Sequence, residues 1–213
     1  VSHDLRTPLR HILAFADLLK QQSGEQLDKD GRHLLGRISG SAQRMSELIE
    51  GLLRFSRTNR SELQKVPVDL NRLIEDVVRE LEIDTQNRAI SLKIAKMPEV
   101  SADPLLLRQV LLNVIGNAIK YSRPRPQPRI EIGQTSADRE IIIFVRDNGV
   151  GFDMKYIDRL FGVFQRLHRE SEFEGTGIGL ATARKIISRH GGRIWAEAQL
   201  DQGATFYIAL PGS

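Results

Sequence analysis

Apolar residues along the first sixty positions recur every three to four residues. Leu5, Leu9, Ile12, Phe15, Ala16 and Leu19 fall on one stripe of a helix that Ser23-Gly24 ends. Pro8 lies in its first turns, where it starts or kinks a helix rather than ending it. A second helix opens near residues 28–30 and carries Leu34, Ile38, Ala42, Met45, Leu48, Ile49, Leu52 and Phe55, with Ile38, Met45 and Leu52 seven apart. Two helices cannot cover both stripes by themselves. The pattern therefore predicts a homodimer in which two antiparallel hairpins make a four-helix bundle, with a hairpin packed on its own downstream domain as the alternative.

From Val66 the period changes. Val66-Pro67-Val68-Asp69-Leu70 reads as a linker and cap into a helix over 69–88, and Ile90–Ile94 alternates like a strand. Asp103-Pro104 opens a helix to about Tyr121, where Pro124, Pro126 and Pro128 break the chain. Strands are predicted over Arg129–Gln134, Glu140–Asp147, Arg193–Ala198 and Ala204–Leu210. A polar, Gly-containing stretch over 149–175 precedes a helix at about 177–190, which His190-Gly191-Gly192 ends. The fold class is α+β: an N-terminal helical hairpin, then an α/β sandwich with helices on one face of a mixed sheet. The expected division is 1–62 for the hairpin, 63–68 for a linker and 69–213 for the sandwich.

Composition narrows the functions. Forty per cent hydrophobic and 27% charged residues make an ordinary globular chain, and a net charge of +4 makes no nucleic-acid arm. The absence of cysteine removes disulfides, thiolate metal sites and thiol catalysis. The densest apolar run, Ile141–Val145, is far short of a membrane span, and Val1-Ser2-His3-Asp4 does not open a signal peptide. A chain that begins inside an amphipathic pattern is expected to be cut from something longer, with a sensor domain upstream.

Three clusters carry candidate chemistry. His3 points away from the apolar stripe beside Asp4, with Thr7 one turn on. An exposed imidazole next to a carboxylate can serve as a nucleophile, though a lone surface His next to an Asp is also common. Asn113 and Asn117 are four apart on one helical face, suited either to a hydrated Mg²⁺ or to plain backbone bonding. Asp147, Gly149 and Gly151 end a strand, where a carboxylate can accept from an exocyclic amine. Gly175-Thr176-Gly177-Ile178-Gly179-Leu180 runs directly into a helix, a phosphate cradle that is neither a Walker loop nor a Rossmann fingerprint.

The order of these clusters, with Phe161-x-x-Phe164 and Gly203-Ala-Thr-Phe206 added, resembles the transmitter core of sensor histidine kinases across nearly the whole chain. The Phe164–Arg169 stretch with Glu172–Gly177 is similar to kinases attached to phytochrome- or PAS-type sensors. The resemblance implies a Bergerat-type ATP-binding fold behind the hairpin, and ATP and Mg²⁺ as cofactors. It implies His3 as phosphoacceptor, Asp4 as the acid that orients it or takes its proton, and Thr7 as an aid to regulator dephosphorylation. Asn117 matches the Mg²⁺ ligand with Asn113 assisting, and Lys120 and Tyr121 line the nucleotide site. Asp147 matches the adenine contact, with Gly149 and Gly151 shaping that wall. Residues 152–175 match a mobile lid, whose Phe161 and Phe164 are expected to pack and whose Arg166 or Arg169 reaches the γ-phosphate. Gly175, Thr176, Gly177, Gly179 and Leu180 close on the triphosphate.

Partners implied are a second copy of the chain and a response-regulator receiver domain, and the implied location is cytoplasmic. Two other readings are an ATPase or clamp of the gyrase type and a dimeric nucleotide-binding scaffold. The first is disfavoured because Asn113 stands where hydrolysis needs a carboxylate base.

Overall fold

The computed structural model describes residues 2–57, 62–82, 89–137, 140–169 and 172–212; the side chains of residues 2–5, 54, 57, 82, 136 and 137 also lie outside the description. The chain divides into two compact units, Val1–Arg60 and Ser61–Ser213.

The first unit is a hairpin of α1 (Ser2–Ser23) and α2 (Lys29–Arg57). Pro8 does not stop α1, because it lies near the start, where few carbonyls precede it to be left unpaired. Asp28 accepts the Gly31 N–H at 2.7 Å and opens α2. Leu9, Ala16, Leu35 and Ala42 are buried between the two helices. The heptad seam is not: Ile38 is 53% exposed and Met45 50%, and Phe15 on α1 is 68% exposed. One hairpin thus leaves part of its apolar surface uncovered. No described helix is long and apolar enough to cross a membrane.

In the second unit β1 (Val66–Asp69) is followed by α3 (Leu70–Glu82), β2 (Ser91–Ile94), β3 (Glu99–Ala102) and α4 (Pro104–Tyr121). Then come β4 (Arg129–Ala137), β5 (Glu140–Asp147), α5 (Ile157–Leu160), α6 (Gly179–Arg189), β6 (Arg193–Gln199) and β7 (Gly203–Pro211). The main sheet has the order β2-β4-β5-β7-β6, with β2 parallel to β4 and every other pair antiparallel, so it is mixed as expected. Ile132, Ile143, Val145 and Ile208 of the sheet are buried with Leu111 and Ile115 of α4 and Ile186 and Ile187 of α6. Phe144, Tyr207 and Trp195 occupy one register across β5, β7 and β6 and are only half-buried.

One local reading changes, and two gain detail. Residues 66–68, expected in a linker, are strand: β1 pairs antiparallel with β3, Val68 opposite Val100. Neither four-residue strand is long enough to show a period, and a proline within β1 and another just before β3 mask both. The helix expected over 69–88 is described as α3 over Leu70–Glu82, and residues 83–88 lie outside the described residues. The polar stretch 149–175 holds a 3-10 turn at Met154–Tyr156 and the short α5, with Asp153 accepting the Lys155 N–H at 3.0 Å.

Candidate active site

Asp103 fixes the start of α4: its Oδ1 accepts the N–H groups of Leu105 and Leu106, both at 3.1 Å, and Pro104 supplies a preset φ. The helix then presents Asn113, Asn117, Lys120 and Tyr121 to a cavity of about 230 Å³. The same cavity is lined by Asp147, Gly151, Gly175, Thr176, Gly177, Gly179 and Leu180. Residues up to 93 positions apart in sequence are thus brought to one place, since Asn113 and Phe206 both line it.

Asp147 ends β5 and is buried. Its Oδ1 accepts the Gly149 N–H at 2.8 Å. Burial pushes its carboxyl up to about 6, against the opposing pull of the Gly149 and Ala204 N–H groups and of Arg125. Gly149 does not line the cavity. It stands behind it, where a Cβ would come 2.5 Å from the Tyr121 carbonyl oxygen, so only glycine lets the chain turn this close to α4.

Lys120 lies with its Nζ 4.3 Å from the centre of the Tyr121 ring. Desolvation lowers its ammonium to about 8, opposed by Glu174 and reinforced by Arg166 and Arg123. Burial likewise pushes the Tyr121 phenol up. Tyr121 packs on His168 and Phe173 with ring centres 5.0 and 4.9 Å away. Burial lowers the His168 imidazole, which keeps it neutral inside this cluster.

The lid folds back on itself. Arg166 donates to the carbonyl oxygens of Gly175, at 2.9 Å, and of Phe173, while Arg123 pairs with Glu174. Gly177 has φ +70, and a Cβ there would stand 2.8 Å from the Gln165 carbonyl oxygen. At Gly179, the first residue of α6, a Cβ would stand 2.8 Å from Asn113 Oδ1. No side chain caps this helix end, and its first residues, Gly179 and Leu180, line the cavity together with Gly177.

Several lining residues escaped the sequence reading, among them Phe152, Leu160, Leu167, Phe206, His168 and Glu174. They are ordinary apolar or polar residues; five of them reach the cavity because the 152–175 stretch turns inward, and Phe206 reaches it from β7. Arg166 lines the cavity and Arg169 does not. Phe161 is buried as expected, but Phe164 is half-exposed with φ +61, so it does not pack. His3 and Asp4 belong to the α1 backbone, and their side chains lie outside the described residues; Thr7 is half-buried.

One buried carboxylate, two Asn amides and the start of α6 beside glycine-rich chain thus line one cavity. Residues 102–213 match the model of the histidine kinase-, DNA gyrase B- and HSP90-like ATPases, and residues 1–61 match the His kinase A (phospho-acceptor) domain. The chain belongs to the histidine kinase-type ATPase family. Both halves together make it the transmitter core of a sensor histidine kinase, on an ATP-binding fold of that family.

Among relatives, cyanobacterial phytochrome B of Nostoc sp. is 37% identical over 98% of the chain and 28% of its own length. Sensor protein kinase WalK of Staphylococcus aureus is 31% identical over 99% of the chain and 35% of its own length. The chain therefore spans only about a third or less of these relatives. The crystal structure of full-length ShkA in complex with AMPPNP has a TM-score of 0.72 at 28% identity, over 99% of this kinase core and 44% of that chain.

Proposed function

We propose that this kinase core phosphorylates its own His3 from ATP and passes the phosphoryl group to an aspartate of a response-regulator receiver domain. The observation that carries the proposal is the convergence of Asn113, Asn117, Lys120, Asp147 and the Gly175–Gly179 segment on one cavity, in a chain that also bears a phosphoacceptor hairpin. ShkA, similar over almost the whole chain, binds AMPPNP, which supports ATP as the nucleotide here.

Asp147 accepts the adenine amine, and Gly151, packed against the Gln199 and Gly203 carbonyls, lines the cavity beside it. Gly149 holds the Asp147 carboxylate in place from behind. Tyr121 flanks the nucleotide, and Lys120 offers its ammonium to the phosphates. Gly175, Thr176, Gly177, Gly179 and Leu180 present backbone N–H groups to the triphosphate at the mouth of α6. Mg²⁺ fits this site only through amide oxygens, because the described residues hold no group of three His, Cys, Asp or Glu side chains suited to a metal. Asn113 Oδ1 faces the first residue of α6, where phosphate oxygens would complete the coordination, and Asn117 supplies the second amide. Bound there, Mg²⁺ would neutralise phosphate charge.

In the transfer, a ring nitrogen of His3 attacks the γ-phosphorus in line. The bond from that phosphorus to the β-bridging oxygen breaks, ADP leaves, and the imidazole proton passes to Asp4. Thr7, one turn on, orients a water for regulator dephosphorylation. The uncovered seam of Ile38, Met45 and Leu52 supports a homodimer as the working unit, and the need for ATP supports a cytoplasmic location.

Plain ATP hydrolysis is favoured by neither described carboxylate of the cavity. Its two described carboxylates are Asp147, bonded to backbone N–H groups, and Glu174, paired with Arg123, and neither is free to activate water. Incubation with γ-labelled ATP tests the proposal. Acid-labile label is expected on the chain and is expected to vanish in His3→Gln, with ATP affinity unchanged within about twofold. Free phosphate without labelled protein would favour hydrolysis, and label retained in His3→Gln would move the nucleophile elsewhere.

A further inference from the structure

Beyond the cavity, in the turn that follows α4, Arg125 sits between Pro124 and Pro126. The two prolines restrict its backbone, and its N–H donates to the Ser122 carbonyl at 3.0 Å. Its guanidinium serves three backbone carbonyls from two other loops. Nε donates to Asn148 at 2.9 Å, and Nη2 donates to Gly149 at 2.9 Å and to Asp201 at 2.5 Å. The side chain is only 28% exposed, although Asp201 Oδ1 lies 3.6 Å away as a second, more exposed partner.

Those carbonyls lie directly behind the purine side of the cavity. Asn148 and Gly149 follow Asp147, and Gly149 is the residue whose N–H fixes Asp147 Oδ1. Asp201 N–H donates in turn to the Val150 carbonyl at 2.8 Å, and Val150 N–H to the Tyr121 carbonyl at 3.1 Å. One planar fork thus ties the turn after α4, the turn after β5 and the β6–β7 turn into a single unit. A lysine has one nitrogen in place of this fork and cannot reach Asn148, Gly149 and Asp201 together in the same directions.

We propose that Arg125 is a positioning residue for purine selection, acting through Asp147 by holding the Asn148–Gly149 turn. This rests on the reading of Asp147 as the adenine contact. Arg125 does not face the nucleotide itself. It sets where the Gly149 N–H stands, and so how the Asp147 carboxylate is aimed.

The test is calorimetric titration of the 213-residue chain with Mg-ATP and with Mg-GTP. The variants are Arg125→Met, Arg125→Lys, Asp147→Asn and the double variant Arg125→Met/Asp147→Asn. Arg125→Met is expected to weaken ATP about tenfold and GTP less than about twofold, with Arg125→Lys only partly restoring the ratio. In the double variant the loss of discrimination is expected to equal that of Asp147→Asn alone, because both act on one contact. Equal losses for ATP and GTP in Arg125→Met, or additive losses in the double variant, would overturn the proposal. An unchanged ratio in Asp147→Asn would overturn the adenine reading beneath it, whatever Arg125 does. If Arg125→Met does not fold, Arg125→Lys carries the same comparison, with a smaller drop in the ATP-to-GTP ratio expected and an unchanged ratio overturning it.

Discussion

Arg166 Nη1 donates to the Gly175 carbonyl oxygen at 2.9 Å, and the same guanidinium bonds the Phe173 carbonyl. One side chain therefore closes a ten-residue loop whose far end leads into α6. Charge-assisted bonds to carbonyls are stronger than neutral ones, and this pair ties the two ends of that span alongside the backbone bonds from Glu172 and Phe173 to the Arg169 carbonyl. Arg166→Ala is expected to loosen the lid without disturbing the core, because the guanidinium reaches backbone and not the sheet. Limited proteolysis should cut within 166–176 faster, and ATP affinity should fall about three- to tenfold. An unchanged cleavage rate would show that the lid is held by its aromatic cluster instead.

Nucleotide binding should have an optimum between about pH 6 and pH 8. On the proposed adenine contact, Asp147 would accept the exocyclic amine fully only when ionised, and its carboxyl is pushed up to about 6. Below that pH the free protein is protonated at the acceptor, so affinity should fall toward tenfold per unit. Lys120 is lowered to about 8, so above that pH the free protein loses the ammonium that phosphates favour. Binding at pH 8 to 9 should therefore take up a proton, which titration calorimetry in buffers of different ionisation enthalpy reads directly. A Lys120→Met variant should lose that uptake and keep the acid limb.

His190 is a stability contact and not a site residue. Its ring is buried; Nε2 accepts the Asp103 N–H at 2.9 Å, and Nδ1 lies 2.8 Å from the Ile186 carbonyl, so the neutral Nδ1–H form satisfies both. Burial lowers the imidazole, outweighing the Ile186 carbonyl that favours the proton. The folded state therefore prefers the neutral ring. Its stabilising contribution is full above the ordinary value of 6.5 and is lost as pH falls through the lower folded value. His190→Leu should cost about 1–3 kcal/mol at pH 7 by leaving the Asp103 N–H without its acceptor. Urea unfolding at pH 7 and pH 5 should show wild type losing more stability than the variant over that interval.

The hairpin was legible because helices of this length repeat a period many times. Leu9, Ala16, Leu35 and Ala42 are buried between α1 and α2, and the seven-residue seam of Ile38, Met45 and Leu52 stays exposed within one chain. The sandwich was legible at Asp103-Pro104, where a cap and a proline specify a helix start, and at the long strands β5 and β7. β1 and β3 were not, since four residues and nearby prolines give no alternation to read.

What the sequence determined by itself is the set of residues with unusual chemistry in a set order: Asn113 and Asn117 on one helical face, Asp147 ahead of glycines, and Gly175 to Gly179 entering a helix. Those signals are local, because spacing along a helix or turn dictates which groups share a face. What only the tertiary structure decided is which ordinary residues serve them. Arg166 rather than Arg169 turns inward, Gly149 works from behind Asp147, and His168 and Phe173 close on Tyr121. Each of these depends on how a lid and three loops fold against α4, through contacts between residues distant in sequence. No spacing rule within one segment records such contacts.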